Sequence, residues 1–406
     1  MTTKMRPFTG TISLAEARTR IDAAIRPIDR TERIPLDRAS GRVLATDIVA
    51  SADVPPFARA AMDGYAVRAD DTTGATRTQP RPLTRVATLF TGEVTDRRIG
   101  PGECIEIATG APMPPGADAV LIVEETDGEA SGRVLAFSAV VPGQNIGPQG
   151  SDIRSGQRVL EAGTTLTASR LGSIAALGFG DVIVYAKPRV AILSTGNEIV
   201  EPGRPLNPGQ IYDVNRFTLT TSVLDHGGDP VPYRTVRDAI EDLSSALDDC
   251  LREDLLVFSG GSSVGERDLI LDLLAARGEV IFHGIAVKPG KPTAFGHVGG
   301  KLFFGMPGYP TSCLFNAHIL LAPALRRIAR LAPETKRSVS LPLSQRIKSV
   351  PDRHQFYTVR IVDRTAVPAF KASGDITSMS QADGYIEIPA GTAAVEQGEI
   401  VEITLF

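Results

Sequence analysis

The sequence predicts a multidomain α/β plus β protein: a central parallel α/β sandwich, β-rich modules ahead of it, and a C-terminal β-barrel-like domain. Three observations carry that expectation. Between Arg189 and Leu331, strand-like apolar runs alternate with helical patterns, the texture of a parallel sheet with helices on both faces. On either side the apolar runs are short, β-branched and separated by Gly and Pro clusters, which reads as β structure. At 406 residues the chain also exceeds one ordinary domain and has room for about two to four compact units.

The first element is one amphipathic helix. Ser13-Leu14-Ala15-Glu16 is a capping box, and Leu14, Ala17, Ile21 and Ala24 continue at helical spacing until Pro27. Residues 34–50 alternate short apolar pieces with turn residues, an extended pattern. Within residues 55–71, Asp63-Gly64 is a turn signal, so the plainest role of Asp63 is to form that turn. Residues 83–141 read as a small β module. A polar loop follows at 143–153, where Asp152 is by default a solvated acid, then a helical stretch at 168–177 and a boundary at Pro188.

In the central region the expected order begins with a buried strand at 190–193, a helix at 216–226 closed by Gly227-Gly228, and a strand at 231–236. Asp238-Ala239-Ile240-Glu241 then reads as a second capping box, for a helix carrying Ile240, Leu243, Leu247 and Leu251. A strand at 255–258, a helix after Asp268, strands at 279–282 and 302–304, and a long helix from Thr311 complete the alternation. Pro323 should kink or break that last helix. After about Leu331 the pattern returns to β at 355–362, 385–388 and 399–406.

Composition narrows the function. A formal charge of -4 with mixed signs along the chain gives no basic stripe for nucleic acid. No apolar run approaches the roughly 20 residues of a membrane span, and the start MTTKMRPFTG has no apolar leader segment, so a cytoplasmic protein is expected. Cys104, Cys250 and Cys313 are odd in number and far apart, which favours reduced, buried thiols; Cys313 alone falls at the start of an expected helix, where a thiolate would be favoured. The five histidines show no metal-ligand spacing.

Three glycine-marked loops carry the chemistry: SGGSSVGERD (residues 259–268), KPGKP (288–292) and GMPGYP (305–310). The first leaves a strand and enters a helix, where free backbone N–H groups make an anion site. Ligands of such sheets sit beyond the carboxyl ends of the strands, and TGNE (195–198) is expected there too. That rim would gather Glu198, Asp268, Lys288 and Lys291, with Asp238 on a neighbouring loop, a set suited to a Mg²⁺-bridged phosphate or pyrophosphate. The plainer reading is that Asp238 and Asp268 cap helices and the lysines are solvated. Glu266-Arg267 after Gly265 rules out a Walker A loop, and no GxGxxG follows a strand.

Together with AMDGYAV (61–67), ATGAPMPPGADAV (108–120) and GQNIGPQGSDI (143–153), these loops resemble the molybdopterin molybdenumtransferase family, MoeA and the gephyrin E domain, over nearly the whole chain. The resemblance implies an enzyme of molybdenum cofactor synthesis that inserts molybdate into adenylylated molybdopterin with Mg²⁺-dependent release of AMP. It implies a discontinuous, elongated dimerisation domain (13–54 and 150–187), an inserted β-rich domain (55–149), a molybdopterin-binding α/β domain (188–331) and a C-terminal β domain (332–406). It implies a homodimer whose site joins the α/β domain of one subunit to N-terminal domains of the other, with molybdopterin adenylyltransferase and apo-molybdoenzymes or their chaperones as partners.

Residue by residue, the resemblance assigns catalytic roles to Asp268, Glu198, Asp238, Asp63 and Lys288, with Asp268 and Glu198 holding metal. Substrate binding falls to Thr109, Asp152, Thr195, Gly196, Ser259, Gly260, Gly261, Ser263, Gly265, Lys291, Pro307, Gly308 and Pro310, and molybdate to Arg353 and Ser373. Three positions depart from the family pattern. Gly284 stands where many members have a basic residue, Tyr309 where Asn is usual, and Thr358 where an arginine is common, a deficit that Arg360 would have to make good. The related molybdopterin adenylyltransferase and a gephyrin-like scaffold are the alternative readings. The first is usually a single domain; the second has no need of the acids that this chain keeps.

Overall fold

In the computed structural model, which describes residues 10–127, 132–260 and 269–406, the first helix is Leu14–Ala24, and Ser13 caps it as the sequence predicts. Ser13 Oγ accepts from the Glu16 amide at 3.1 Å. The chain divides into two compact units: one comprises Met1–Glu32, Gly41–Val43 and Val184–Phe406, the other Arg33–Ser40 and Leu44–Ile183.

The second of these holds a five-stranded sheet in the order Ala119–Ile122, Gly64–Val67, Glu103–Ile107, Arg81–Leu89, Arg133–Ala136. Alternate residues of Gly64–Val67 go to opposite sides. Tyr65 and Val67 join one apolar core with Leu83, Leu121 and Val134, while Ala66 joins another with Ile105, Ile107 and Val120.

The larger unit is built on a six-stranded sheet in the order Asp229–Pro232, Arg189–Ser194, Leu255–Ser259, Lys301–Met306, Ala294–Val298, Gly278–His283. The same alternation covers both faces with helices. Val190, Ile192, Leu255, Val257 and Phe304 pack with Leu14, Ile21, Leu219 and Val223, whereas Ala191, Leu193, Leu256, Phe258 and Phe303 pack with Leu243, Leu247, Ile270 and Leu274. The first four strands are parallel, as expected. Ala294–Val298 alone is reversed: it runs antiparallel to both neighbours, leaving Gly278–His283 aligned with the first four, so the sheet is mixed. The cause is local. Gly299 and Gly300, at φ 55° and 76°, join Val298 to Lys301 in a two-residue hairpin of the kind that needs left-handed φ at both positions.

Two further expectations are corrected, and the expected break of the last helix at Pro323 is present. The strand expected at 231–236 is Asp229–Pro232, and Val236 makes only a single parallel bridge to Thr195. The helix after Asp238 is Ile240–Cys250, its N-cap is Ala239, and no side chain caps it, so the Asp238 capping box does not form. The helix from Thr311 is Pro310–Asn316, followed by a π-turn over Ala317–Leu321 and a further piece, Ala322–Ile328, with Pro323 in its first turn. The missing amide of Pro323 removes a bond that a continuous α-helix would need there.

The C-terminal sheet has the order Val287–Lys288, His354–Val362, Gly384–Ile388, Ile400–Leu405, Ser338–Pro342, with Thr365–Pro368 beside His354–Val362. It packs on the α/β core through Phe315, whose ring lies 4.9 Å from that of Phe356 and 5.1 Å from that of Tyr385. No helix among the described residues is long and apolar enough to cross a membrane.

At the N-terminal end of the strand Leu255–Ser259, Asp254 is a structural anchor. It accepts two 2.8 Å bonds from the Arg30 guanidinium and a third from the Arg189 amide. Burial raises its carboxyl pKa, but the Arg30 hydrogen bond, the Arg189 amide and the neighbouring cations outweigh that and hold it below the ordinary value. A depressed carboxyl stabilises the fold above its unfolded pKa of about 4, and the contribution fades as pH falls through the folded value. Asp254→Ala is therefore expected to lower stability at pH 7 by roughly 2 kcal/mol, with a smaller difference from wild type near pH 3, measured by urea denaturation at both pH values.

Candidate functional site

The strands Arg189–Ser194, Leu255–Ser259 and Lys301–Met306 end on one side, and a cavity of about 650 Å³ opens beyond them, bounded on its far side by the C-terminal sheet. Ser194, Thr195, Glu198, Ser259, Gly260, Lys288, Lys291, Pro307, Gly308, Pro310, Arg353 and Ser373 all line it. The expected gathering of the TGNE, lysine and PGYP loops on one rim is thus present. Asp268, Gly261, Ser263 and Gly265 lie outside the described residues.

Each loop is held by a separate device. Val287–Lys288 pairs in parallel with His354–Gln355, and His354 N donates to Ala286 O at 2.9 Å, which draws Lys288 and Arg353 to the same cavity. The turn between the two lysines is locked from behind by helix Pro310–Asn316. Asn316 Nδ2 donates to Gly290 O at 2.7 Å, and Thr293 Oγ1 to the same oxygen at 3.0 Å. Gly290 is required by that approach: its φ is 98°, and a Cβ there would lie 2.3 Å from Asn316 Nδ2. Thr311 N and Oγ1 donate to Ser373 O and Asp375 O at 3.1 and 2.8 Å, fixing the loop that carries Ser373.

Beneath the rim runs a buried polar network that sequence reading missed. Asp213, 3% exposed, accepts from Ser194 Oγ and the Arg216 amide, both at 3.0 Å, and from Thr235 Oγ1 at 3.2 Å. Asn215 Nδ2 donates to Ser259 Oγ at 2.7 Å and to Gly308 O at 2.8 Å, so one amide ties the root of the SGG loop to the PGYP turn. The one local signal was Asp213, two residues ahead of helix Asn215–Asp225, where a short acidic side chain satisfies a free amide; nothing local marked the partners of Asn215.

Glu198 lines the cavity, and Asp238 lies on the loop packed beside it. Gly196 N donates to Val236 O at 3.2 Å and Asp238 N to Asn197 Oδ1 at 3.3 Å, so the loop carrying Asp238 lies on the loop carrying Glu198. Partial burial first, and the Glu198 charge second, raise the Asp238 carboxyl above its ordinary value. Such an acid pair fits a divalent cation, whose charge would relieve that repulsion. Cys313 takes the plainer of its two expected roles: burial pushes its thiol up to about 12, far from a thiolate.

Asp63, Thr109 and Asp152 belong to the N-terminal unit. Asp63 precedes the strand Gly64–Val67 and Thr109 follows its antiparallel neighbour Glu103–Ile107, so the two meet. Thr109 N and Oγ1 donate to Asp63 Oδ1 at 2.7 and 2.8 Å and hold that carboxyl below the ordinary range. Asp152 is exposed. Of the departures, Tyr309 lines the cavity, whereas Gly284 is buried and bonded through its backbone to Thr293 O and Ile12 N. Thr358 is fully buried in the C-terminal sheet, and Arg360, exposed and away from the cavity lining, does not make good an arginine there.

Gly290→Ala is expected to cost roughly 2 kcal/mol or more in unfolding free energy. Combined with Asn316→Ala, which removes the obstructing amide, the loss should fall short of the sum of the single losses, a coupling that a double-mutant cycle in urea reads directly. Asn215→Ala, which strands the buried Ser259 hydroxyl and releases the Gly308 carbonyl, is expected to cost about 2 kcal/mol by the same measurement.

Known proteins match this architecture part for part. Residues 12–178 match the MoeA N-terminal region (domain I and II), 191–327 a probable molybdopterin binding domain, and 340–406 the MoeA C-terminal region (domain IV). Molybdopterin molybdenumtransferase 2 of Mycobacterium tuberculosis is 34% identical over 391 residues, 94% of this chain and 95% of that protein. The molybdopterin molybdenumtransferase of Haemophilus influenzae is 32% identical over 97% of this chain and 98% of its own. Two solved structures of MoeA proteins from Pyrococcus horikoshii superpose with TM-scores of 0.84 and 0.79 at 38% and 31% identity, each covering 98% of this chain and 99% and 100% of theirs. With matched regions over most of its length and relatives of the same extent, the chain belongs to the MoeA family.

Proposed function

We propose that this protein is the molybdenumtransferase of molybdenum cofactor biosynthesis, inserting molybdate into adenylylated molybdopterin and releasing AMP with Mg²⁺. The relatives named for that transferase support the overall activity. The observation that carries the finer reading is a single cavity lined by two lysines, an arginine, a serine and Glu198, with Asp238 on the loop beside Glu198.

In this reading Lys288 and Lys291 neutralise phosphate oxygens of the substrate, while backbone groups at Ser259 and Gly260 orient it. Arg353 offers a planar guanidinium fork and Ser373 a hydroxyl, a pair suited to the tetrahedral molybdate dianion. Glu198 and Asp238 are the described residues that would hold Mg²⁺, with Asp268 as a third. Bound there, the ion would offset charge on the pyrophosphate as its link to AMP breaks. Asp63, Thr109 and Asp152 complete the site from the partner subunit of a homodimer. Molybdopterin adenylyltransferase upstream and apo-molybdoenzymes or their chaperones downstream are its partners.

The test is single-turnover conversion of adenylylated molybdopterin with Mg²⁺ and molybdate, reading AMP release and reconstitution of an apo-molybdoenzyme. Molybdate-dependent AMP release with reconstitution is expected; binding without turnover would refute the transferase. Glu198→Gln and Asp268→Ala should each slow AMP release by at least about 100-fold with the fold intact, and Arg353→Ala should raise the molybdate concentration needed for half-maximal rate. Because the Asp238 carboxyl is raised, it takes up its proton at higher pH than an ordinary aspartate. The Mg²⁺ concentration needed for half-maximal rate should therefore rise as pH falls from neutral towards the carboxylate range, and Asp238→Asn should flatten that rise.

A further inference from the structure

Tyr309 stands at the mouth of the cavity with 68% of its surface exposed. Its backbone is fixed. Pro310 follows as the first residue of a helix, the Tyr309 carbonyl accepts from Cys313 N at 2.9 Å, and the next residue, Thr311, is bonded to Ser373. The ring itself contributes little to the fold. Its hydroxyl bonds no described residue, and Cδ1 lies 3.9 Å from where a Cβ on Gly374 would stand, a glancing contact beside the Ser373 loop. Ile211 and Tyr212 line the same cavity at 54% and 41% exposure, with Tyr212 Oη anchored on Arg204 O at 2.9 Å.

One cavity thus combines a cationic set, Lys288, Lys291 and Arg353, with an exposed aromatic and aliphatic rim. A simple oxyanion or pyrophosphate would satisfy the cations and leave the rim in water. A polyanion that also carries a flat ring would cover both, since an aromatic face held by a rigid main chain stacks on such a ring with little entropy left to lose.

We propose that Tyr309 is a stacking face for a planar heteroaromatic ring of the substrate, and so a specificity-determining residue of this site. The proposal rests on the function above, under which the substrate carries two such rings, an adenine and a pterin. Removing a stacking aromatic weakens binding of a base by about 5- to 100-fold, and the loss belongs to the ring, not the hydroxyl.

Calorimetric titration of the full-length protein with Mg²⁺ tests this with three probes: AMP, neopterin monophosphate and inorganic pyrophosphate. Tyr309→Ala is expected to weaken AMP or the pterin by about 10-fold or more and to leave pyrophosphate unchanged, while Tyr309→Phe binds all three as wild type does. The ring-bearing probe that weakens identifies the ring. Unchanged binding of both ring-bearing probes by Tyr309→Ala overturns the proposal, as does equal weakening of all three, or a Tyr309→Phe as weak as Tyr309→Ala. Wild-type protein that binds none of the probes would overturn the functional reading and this proposal with it.

Discussion

The site depends on a two-residue parallel ladder. Val287–Lys288 leaves the α/β sheet's neighbourhood to become the edge strand of the C-terminal sheet, opposite His354–Gln355. Without that pairing the lysine turn would be a free loop on one layer and Arg353 a surface residue on another. The ladder is short, and its register is protected by what surrounds it: Asn316 clamps the turn at Gly290, and the Phe315, Phe356 and Tyr385 rings seal the two layers together below it. The position of a cation is thus set by hydrophobic packing at Phe315, the residue next to the clamp at the helix end.

The cavity separates its charges by depth. Its floor is buried and hydrogen-bonded, with Asp213 shared among two hydroxyls and an amide, and Asn215 spanning two loops. Buried polar groups of this kind are tolerable only when paired, and pairing makes them rigid. The groups suited to ligand chemistry, Glu198 and the two lysines, sit higher, where they are exposed or half-buried. A rigid, fully hydrogen-bonded floor beneath exposed and half-buried charges supports the loops that carry those long side chains.

The alternation of strand and helix was legible, because sheet residues buried on both faces leave continuous apolar runs, and 255–258 is such a run. The mixed edge was not, although Val298-Gly299-Gly300-Lys301 carried the hairpin signal: a surrounding pattern of helices and strands made crossover the default reading. Among site residues, the glycine loops, the lysines and the acids could be chosen from residue type and loop position. Asp213 and Asn215 could not, because their importance lies in partners distant in sequence, Ser194, Thr235, Ser259 and Gly308, which only the folded backbone brings within reach. Asp238 shows the opposite error: its spacing to Glu241 mimics a capping box, yet the helix starts after it, and the acid faces the Glu198 loop instead.

The Gly299–Gly300 hairpin also divides the sheet by the time its parts take to form. Pairing of Ala294–Val298 with Lys301–Met306 closes a loop of two residues, an event of microseconds in isolated hairpins. The central pairing of Val190 with Leu255 must wait for a long intervening segment with two helices to be brought round, and such distant contacts slow folding. Lys301–Met306 belongs to both regimes, as a hairpin arm on one side and a parallel neighbour of Leu255–Ser259 on the other. The local half of the sheet can therefore serve as the template on which its slow half assembles.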